Sequence, residues 1–92
     1  MSAPSARLRV IGPAGAVEGY HLTWFRQGSR VARLYSLVVA PDRRGQGTAE
    51  ILVADAEREA ARRGARVLRL EVRADNTRAI RFYVRLGFRK IG

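Results

Sequence analysis

The hydrophobic period of this chain first changes, abruptly, across the stretch VVAPDRRGQGTAEILV, Val38 to Val53. Before it, β-branched and aromatic residues run in short segments, the last ended by Pro41. After it, Ala49, Leu52, Val53, Ala56 and Ala60 fall at i, i+3, i+4, i+7 and i+11, one face of an amphipathic helix. A strand therefore runs into a helix through two arginines and two glycines spaced one residue apart. A helix start carries unpaired main-chain N–H groups and the positive end of the dipole, which together suit an anion. Glycine at such a corner lets a bound group approach the backbone. The corner predicts a phosphate-bearing ligand.

The flanking segments predict the architecture. Residues 1–6 read as a tail. Arg7 to Ile11 alternates and is followed by the turn signal GPAG. Ala16 to Gln27 and Val31 to Ala40 read as strands joined by a three-residue hairpin loop, Gly28 to Arg30. Gly64 caps the helix that follows the corner. Arg66 to Arg73 alternates, with Leu68, Leu70 and Val72 on one face and Arg69, Glu71 and Arg73 on the other. Asp75 or Asn76 caps a second helix, whose stripe Ala79, Ile80, Tyr83 and Leu86 ends at Gly87. Phe88 to Ile91 reads as the opening of another strand. The order β-β-β-α-β-α-(β) predicts an α/β (α+β) fold on a mixed, mostly antiparallel sheet, with residues 1–92 as a single domain.

Composition narrows the chemistry. The 92 residues include no cysteine and one histidine, His21, which excludes a disulfide framework, a thiolate nucleophile and a zinc site of the usual donors. His21 reads as a packed or surface residue, and Trp24 and Phe25 as core or sheet-face residues. The run Glu57 to Arg63 reads as a solvated helix face with i,i+4 charge pairs. No run has the length of a membrane span and residues 1–17 lack the apolar core of a secretory signal, so a cytoplasmic location is expected. A formal charge of +10 favours an anionic partner. With no aromatic-basic motif for bases, a nucleic acid ranks last among such partners.

Glycine loops for phosphates come in few kinds. The nucleotide loop GxxxxGK[ST] fails because no lysine precedes Lys90. The dinucleotide fingerprint GxGxxG begins at Gly45 and Gly47 but meets Glu50 at its third glycine, after antiparallel strands rather than a βαβ unit. The pattern R-x-x-G-x-[GA] is satisfied by Arg44, Gly47 and Ala49. A second block, LEVRADNTRAIRFYVRLGF from Leu70 to Phe88, lies downstream. Together, in this order and separated by a helix and a strand, the two blocks resemble the GCN5-related N-acetyltransferase (GNAT) family, and in particular its ribosomal-protein branch. The resemblance covers roughly residues 7–91.

The resemblance implies an acyltransferase that moves an acetyl group from acetyl-coenzyme A directly to a primary amine. It implies that Arg44, Gly45, Gln46, Gly47, Thr48 and Ala49 cradle the cofactor's diphosphate. Leu37, Val38 and Val39 would lie on the strand whose backbone pairs with the pantetheine arm and faces the thioester oxygen as it gains charge. Asn76 matches a cofactor contact, Tyr83 the proton donor to the departing thiolate, and Glu71 the carboxylate that helps deprotonate the amine. Amines with pKa values near ~8 to ~10.4 need such a base, usually working through water. Arg69 and Arg73, at i±2 from Glu71, supply a competing ion-pair role for it. No metal is implied.

The resemblance also implies departures. Family members commonly carry a strand and helices before the first strand seen here, and two strands after the GF motif, and these wall the acceptor site. Six residues precede Arg7. The expectation is therefore a shortened fold, with a sheet edge open to a second copy as a homodimer. The alternative is a non-catalytic coenzyme A-binding module that needs a second chain to complete its acceptor site. The acceptor class stays broad: a protein N-terminus, a lysine or a small molecule. Glu50 suits the helix dipole but competes with a bound diphosphate.

Overall fold

Two flexures in hydrogen-bond pairing shape the molecule: a bulge between its second and third strands, and an early parting of the third and fourth. The computed structural model describes residues 5–13, 16–26 and 28–91. In chain order these form β1 (Ser5–Ile11), β2 (Gly19–Phe25), β3 (Val31–Val39), a 3-10 turn (Pro41–Arg43), α1 (Thr48–Arg62), β4 (Val67–Leu70) and α2 (Thr77–Arg85). The sheet order is β1-β2-β3-β4, antiparallel except for the parallel β3–β4 pair. The mixed α+β architecture expected from the sequence is present.

Alternation along β2 decides which face is covered. Gly19, His21, Thr23 and Phe25 are buried under α1, whereas Tyr20, Leu22 and Trp24 point the other way. On β3, Ala32 and Leu34 share the covered face. α1 meets them with Leu52, Val53, Ala56 and Ala60, all at most 4% exposed, as its periodicity requires. The opposite face leaves Leu8, Val10, Trp24, Tyr35 and Val38 at least 40% exposed. Trp24 and Tyr35 stack there with ring centroids 5.4 Å apart. Phe25 is thus a core residue and Trp24 a sheet-face residue.

The bulge arises because Thr23 pairs with Leu34 while Leu22 pairs with Ser36, so Tyr35 is the extra residue on β3. Both helices end alike. Gly64 and Gly87 take φ of +83° and +102°, where only glycine is unstrained. Ala65 N–H donates to Ala60 C=O and Phe88 N–H to Tyr83 C=O, which satisfies carbonyls that the helix leaves open.

Several boundaries differ from expectation. β1 begins at Ser5, so Ser5 and Ala6 join the sheet rather than a tail; the remaining tail residues lie outside the described ones. β2 is shorter than Ala16 to Gln27, with Gln27 also outside the described residues. The GPAG turn is closed by Ala16 N–H on Pro13 C=O, Ala14 and Gly15 again lying outside. Phe88–Ile91 forms no strand: Phe88 folds back so that its ring meets Tyr83 edge-on at 5.6 Å. Within the run 57–63 the expected i,i+4 pairing is present between Glu59 and Arg63, but Glu59 is 8% exposed and also meets Arg7 and Arg62, so the face is not solvated at that position.

His21 is fully buried, and its Nε2 lies 2.7 Å from Asp55 Oδ2. Arg9 donates from Nε and Nη2 to both oxygens of the same carboxylate, at 3.0 and 3.1 Å. Burial alone would raise the Asp55 pKa; the hydrogen bonds from Arg9 and His21 outweigh it and hold it below its ordinary 3.8.

Two tests follow from this packing. A Cβ at Gly19 would sit 2.7 Å from the Val38 carbonyl oxygen and 3.0 Å from Leu52 Cδ1. Gly19→Ala is expected to cost about 1–3 kcal/mol in urea unfolding. Because the Asp55 pKa is lower folded than unfolded, its stabilisation is fully present above the unfolded value and is lost as pH falls through the folded one. Unfolding midpoints measured down the acid limb should fall less steeply for Asp55→Asn than for the wild type.

Candidate functional site

β4 has room for only four residues of pairing. Val67 to Leu70 match Val31 to Leu34, and beyond that point the two parallel strands separate. Beyond Leu34, β3 goes on pairing with β2 alone, through Ser36, Leu37, Val38 and Val39. In an antiparallel ladder every second residue turns its N–H and C=O away from its partner. The edge of β3 on the far side from β2 therefore presents main-chain donors and acceptors to the gap. The expected strand from Arg66 to Arg73 is cut short by this separation, which leaves Glu71, Val72 and Arg73 on irregular backbone.

The gap is a cleft of about 380 Å³ whose lining includes Leu37, Glu71, Asn76 and Tyr83, residues up to 46 positions apart in sequence. Tyr35, Ser36 and Arg73 also line it, although the sequence reading did not select them. Tyr35 reaches the cleft because of the bulge, which no local sequence signal announces. A larger hollow of about 430 Å³ lies at the opposite end, lined by residues such as Ser5, Phe25, Ser29 and Arg63. That hollow gathers no carboxylate, phenol or glycine corner, so size does not mark the site.

Asn76 caps α2: its Oδ1 accepts from Ala79 N–H at 3.1 Å, which leaves its amide NH₂ uncommitted among the described hydrogen bonds. Tyr83 follows two turns later on the same helix face. Its ring packs edge-on against Phe82 and Phe88, at 5.1 and 5.6 Å between centroids. Burial raises the phenol pKa above its ordinary 10.0, so the hydroxyl keeps its proton at neutral pH. Glu71 is exposed and accepts from Arg33 Nη2 at 2.7 Å. Arg69, expected beside it, is not its partner, and Arg73 pairs with Asp75 at 3.3 Å. Arg33 approaches from β3 because Arg33 and Arg69 are register partners on the open face.

The glycine corner follows the end of β3. Pro41–Arg43 makes one 3-10 turn, Arg44 is extended, and Gly45 and Gly47 take φ of +78° and +85°. Gly47 is the N-cap of α1, and no side chain caps that helix start. The first-turn N–H groups, from Thr48 on, thus have no intrahelical acceptor. Ideal Cβ atoms at Gly45 or Gly47 meet nothing within 4 Å, so the corner opens to free space. Gln46 turns back to donate to the Asp42 carbonyl at 3.2 Å. Thr48 is buried, Ala49 half-buried, and Arg44 exposed with no carboxylate within 4 Å among the described residues. Glu50 is exposed in the first turn. An uncapped, outward-open helix start with a free guanidinium fits a diphosphate.

Comparison with known proteins agrees with this geometry. The Acetyltransferase (GNAT) family profile matches residues 8–88. An uncharacterized N-acetyltransferase of Methanocaldococcus jannaschii is 43% identical over 58 residues, which is 63% of this chain and 26% of that protein. A crystal structure of nourseothricin acetyltransferase superposes with a TM-score of 0.85 at 34% identity, covering 95% of this chain and 52% of the other. AAC(6')-Iy, in complex with the bisubstrate analog CoA-S-monomethyl-acetylneamine, gives a TM-score of 0.86 at 22% identity, over 95% and 64% of the respective chains. The chain spans about a quarter of the length of the curated relatives it matches. With its fold, its glycine corner and its parted strands, the chain belongs to the GNAT acetyltransferase family.

Proposed function

We propose that this chain carries the cofactor-binding and reacting centre of an N-acetyltransferase that moves an acetyl group from acetyl-coenzyme A to a primary amine. One observation carries the reading. The free edge of β3, the Tyr83 phenol, the Glu71 carboxylate and Asn76 line a single cleft, and the strand that forms its wall leads into an uncapped glycine corner. Acetyl-coenzyme A supplies the acetyl group as an activated thioester.

The chain's own groups then divide the work. Main-chain N–H groups from Gly45 to Ala49, with the Arg44 guanidinium, hold a diphosphate by direction and charge. Leu37, Val38 and Val39 offer the β3 edge to an amide-bearing arm, and an N–H on that edge stabilises an oxygen that gains charge. Asn76 has an amide group to spare for the same ligand. Glu71 accepts the amine's proton through water, after which nitrogen forms its bond to the acetyl carbon and the carbon–sulfur bond breaks. Tyr83, with its raised pKa, donates a proton to the departing sulfur, and the second proton given up by the acylated nitrogen restores the phenol. No covalent enzyme intermediate is needed, consistent with a sequence that has no cysteine.

The acceptor is an amine in the broad sense: a protein N-terminus, a lysine or a small molecule. Among the described residues no helix is long and apolar enough to cross a membrane. Among the described residues β1 is the outer strand, paired with β2 alone, and every residue from Ser5 to Val10 is exposed. A second copy of the chain adding to that edge is the homodimer we propose.

Three measurements test these statements. Acetyl-coenzyme A at about a hundredfold over its Kd should stabilise the fold by ~2.7 kcal/mol, seen as a higher melting midpoint. A folded protein whose midpoint stays put at millimolar cofactor overturns the reading. Tyr83→Phe should lower kcat by about 10²-fold while cofactor affinity holds, measured as thiol release with an amine panel. Binding without any thiol release from the wild type would instead indicate a coenzyme A-binding module. Sedimentation should show a dimer that Leu8→Pro, a break in the β1 edge, dissociates.

A further inference from the structure

β1 and α1 carry a matched set of charges that the reaction does not use. Arg7 and Arg9 are two residues apart on the covered face of β1, a step of ~6.8 Å. Glu59 and Asp55 are four apart on α1, a step of ~6 Å. Arg9 meets Asp55 at 3.0 Å and Arg7 meets Glu59 at 3.6 Å, so the two spacings lie in register like rungs. Asp55 continues inward to His21, and His21 Nδ1 lies 3.0 Å from Thr23 Oγ1. His21 and Thr23 are both fully buried.

Hydroxyl, imidazole and carboxylate in a row resemble a nucleophile relay. With Thr23 at 0% exposure, no substrate carbonyl can reach its oxygen, so the row is not a reaction centre. It is fully satisfied: no buried side-chain polar atom among the described residues lacks a partner. An ionised carboxylate only accepts, so Nε2 carries the proton toward Asp55, and in the neutral ring Nδ1 accepts from the Thr23 hydroxyl. Arg58 approaches Asp55 from solvent at 3.6 Å.

Apart from Arg63 at its C-cap, which reaches Ser5 and the Phe25 ring, the rest of the α1 contact is non-directional. Leu52, Val53, Ala56 and Ala60 are aliphatic and mostly small, and such a surface tolerates sliding along the helix axis. Among the described residues the Arg9–Asp55–His21–Thr23 chain and its Arg7–Glu59 companion, with Arg63 Nη1 donating to Ser5 Oγ at the helix end, are the directional contacts that fix α1 against β1 and β2. Asp55 lies seven residues beyond Thr48, about 10 Å along the helix. Any axial slip at Asp55 is therefore passed rigidly to the glycine corner.

We propose that Asp55 is a positioning residue: by anchoring α1 to Arg9 and His21 it sets where the Gly45–Ala49 donors stand relative to the edge of β3. The proposal rests on the reading of that corner as the cofactor's diphosphate site. In an Asp55→Asn variant shown to be folded, KM for acetyl-coenzyme A should rise about tenfold with kcat within about twofold of the wild type. His21→Gln, which retains a donor toward Asp55, should move the same constant in the same direction by less, and it serves if Asp55→Asn does not fold. Amide hydrogen exchange supplies a readout independent of cofactor. Ile51, whose N–H closes the first turn on Gly47 C=O at 3.1 Å, and Leu52 after it should exchange at least about tenfold faster in the variants, while the middle of α1 stays protected. Uniform acceleration along α1, or an unchanged KM beside an unchanged corner, overturns the proposal. A wild type that fails to bind coenzyme A while the variants still loosen the corner refutes the cofactor reading and leaves the anchor standing.

Discussion

The separation of β3 from β4 is the constraint on which the site depends. A parallel pair is held by slanted hydrogen bonds and needs a crossover helix to join its strands. Here α1 is that crossover, and it brings β4 beside β3 for four residues only. Had the pairing continued, the main-chain groups of Leu37 to Val39 would be spent inside the sheet, and Glu71 would sit in a ladder instead of at a rim. Ending it early leaves main-chain hydrogen-bonding capacity exposed in a mostly polar cleft, which an extended, amide-bearing ligand can satisfy. The cost is modest because the cleft is open and water solvates those groups in the meantime.

Much of this was legible in the sequence, because local chemistry and tertiary packing agree along most of the chain. The α1 stripe from Leu52 to Ala60 is buried as its spacing demands. Gly64 and Gly87 stop the two helices in the conformation that glycine alone adopts freely. The positive φ values at Gly45 and Gly47 agree with an open phosphate corner, and Glu71, Asn76 and Tyr83 of the second block line one cleft with Leu37, while Arg44 to Ala49 lie outside that lining. What the sequence hid are relations between distant elements. Arg33 reaches Glu71 because a parallel register sets it beside Arg69, whereas a reading along one strand pairs Glu71 with its own neighbours. Asp55 looks like one more polar position on a charged helix until β1 and β2 are folded beneath it. Phe88 to Ile91 has strand-forming residues, yet the turn after α2 directs Phe88 back toward Tyr83.

The arrangement around Glu71 sets a limit on the base role proposed for it. Its carboxylate already accepts from a guanidinium at 2.7 Å, so an incoming ammonium group competes with Arg33 for the same oxygens. The pair is exposed to water, where such a contact contributes little to stability, and it exchanges partners readily. Arg33 thereby keeps the carboxylate pointed over the cleft rim without locking it there.

The open sheet face has a thermodynamic consequence. The molecule is a slab about 18 Å deep, with Leu8, Val10, Trp24, Tyr35 and Val38 already wetted in the folded state. Apolar area that is hydrated before and after unfolding adds nothing to the heat-capacity increment. The increment for this chain thus falls below the ~12–15 cal/mol/K per residue of ordinary domains. Its stability curve is correspondingly flatter, changing less between cold and warm conditions.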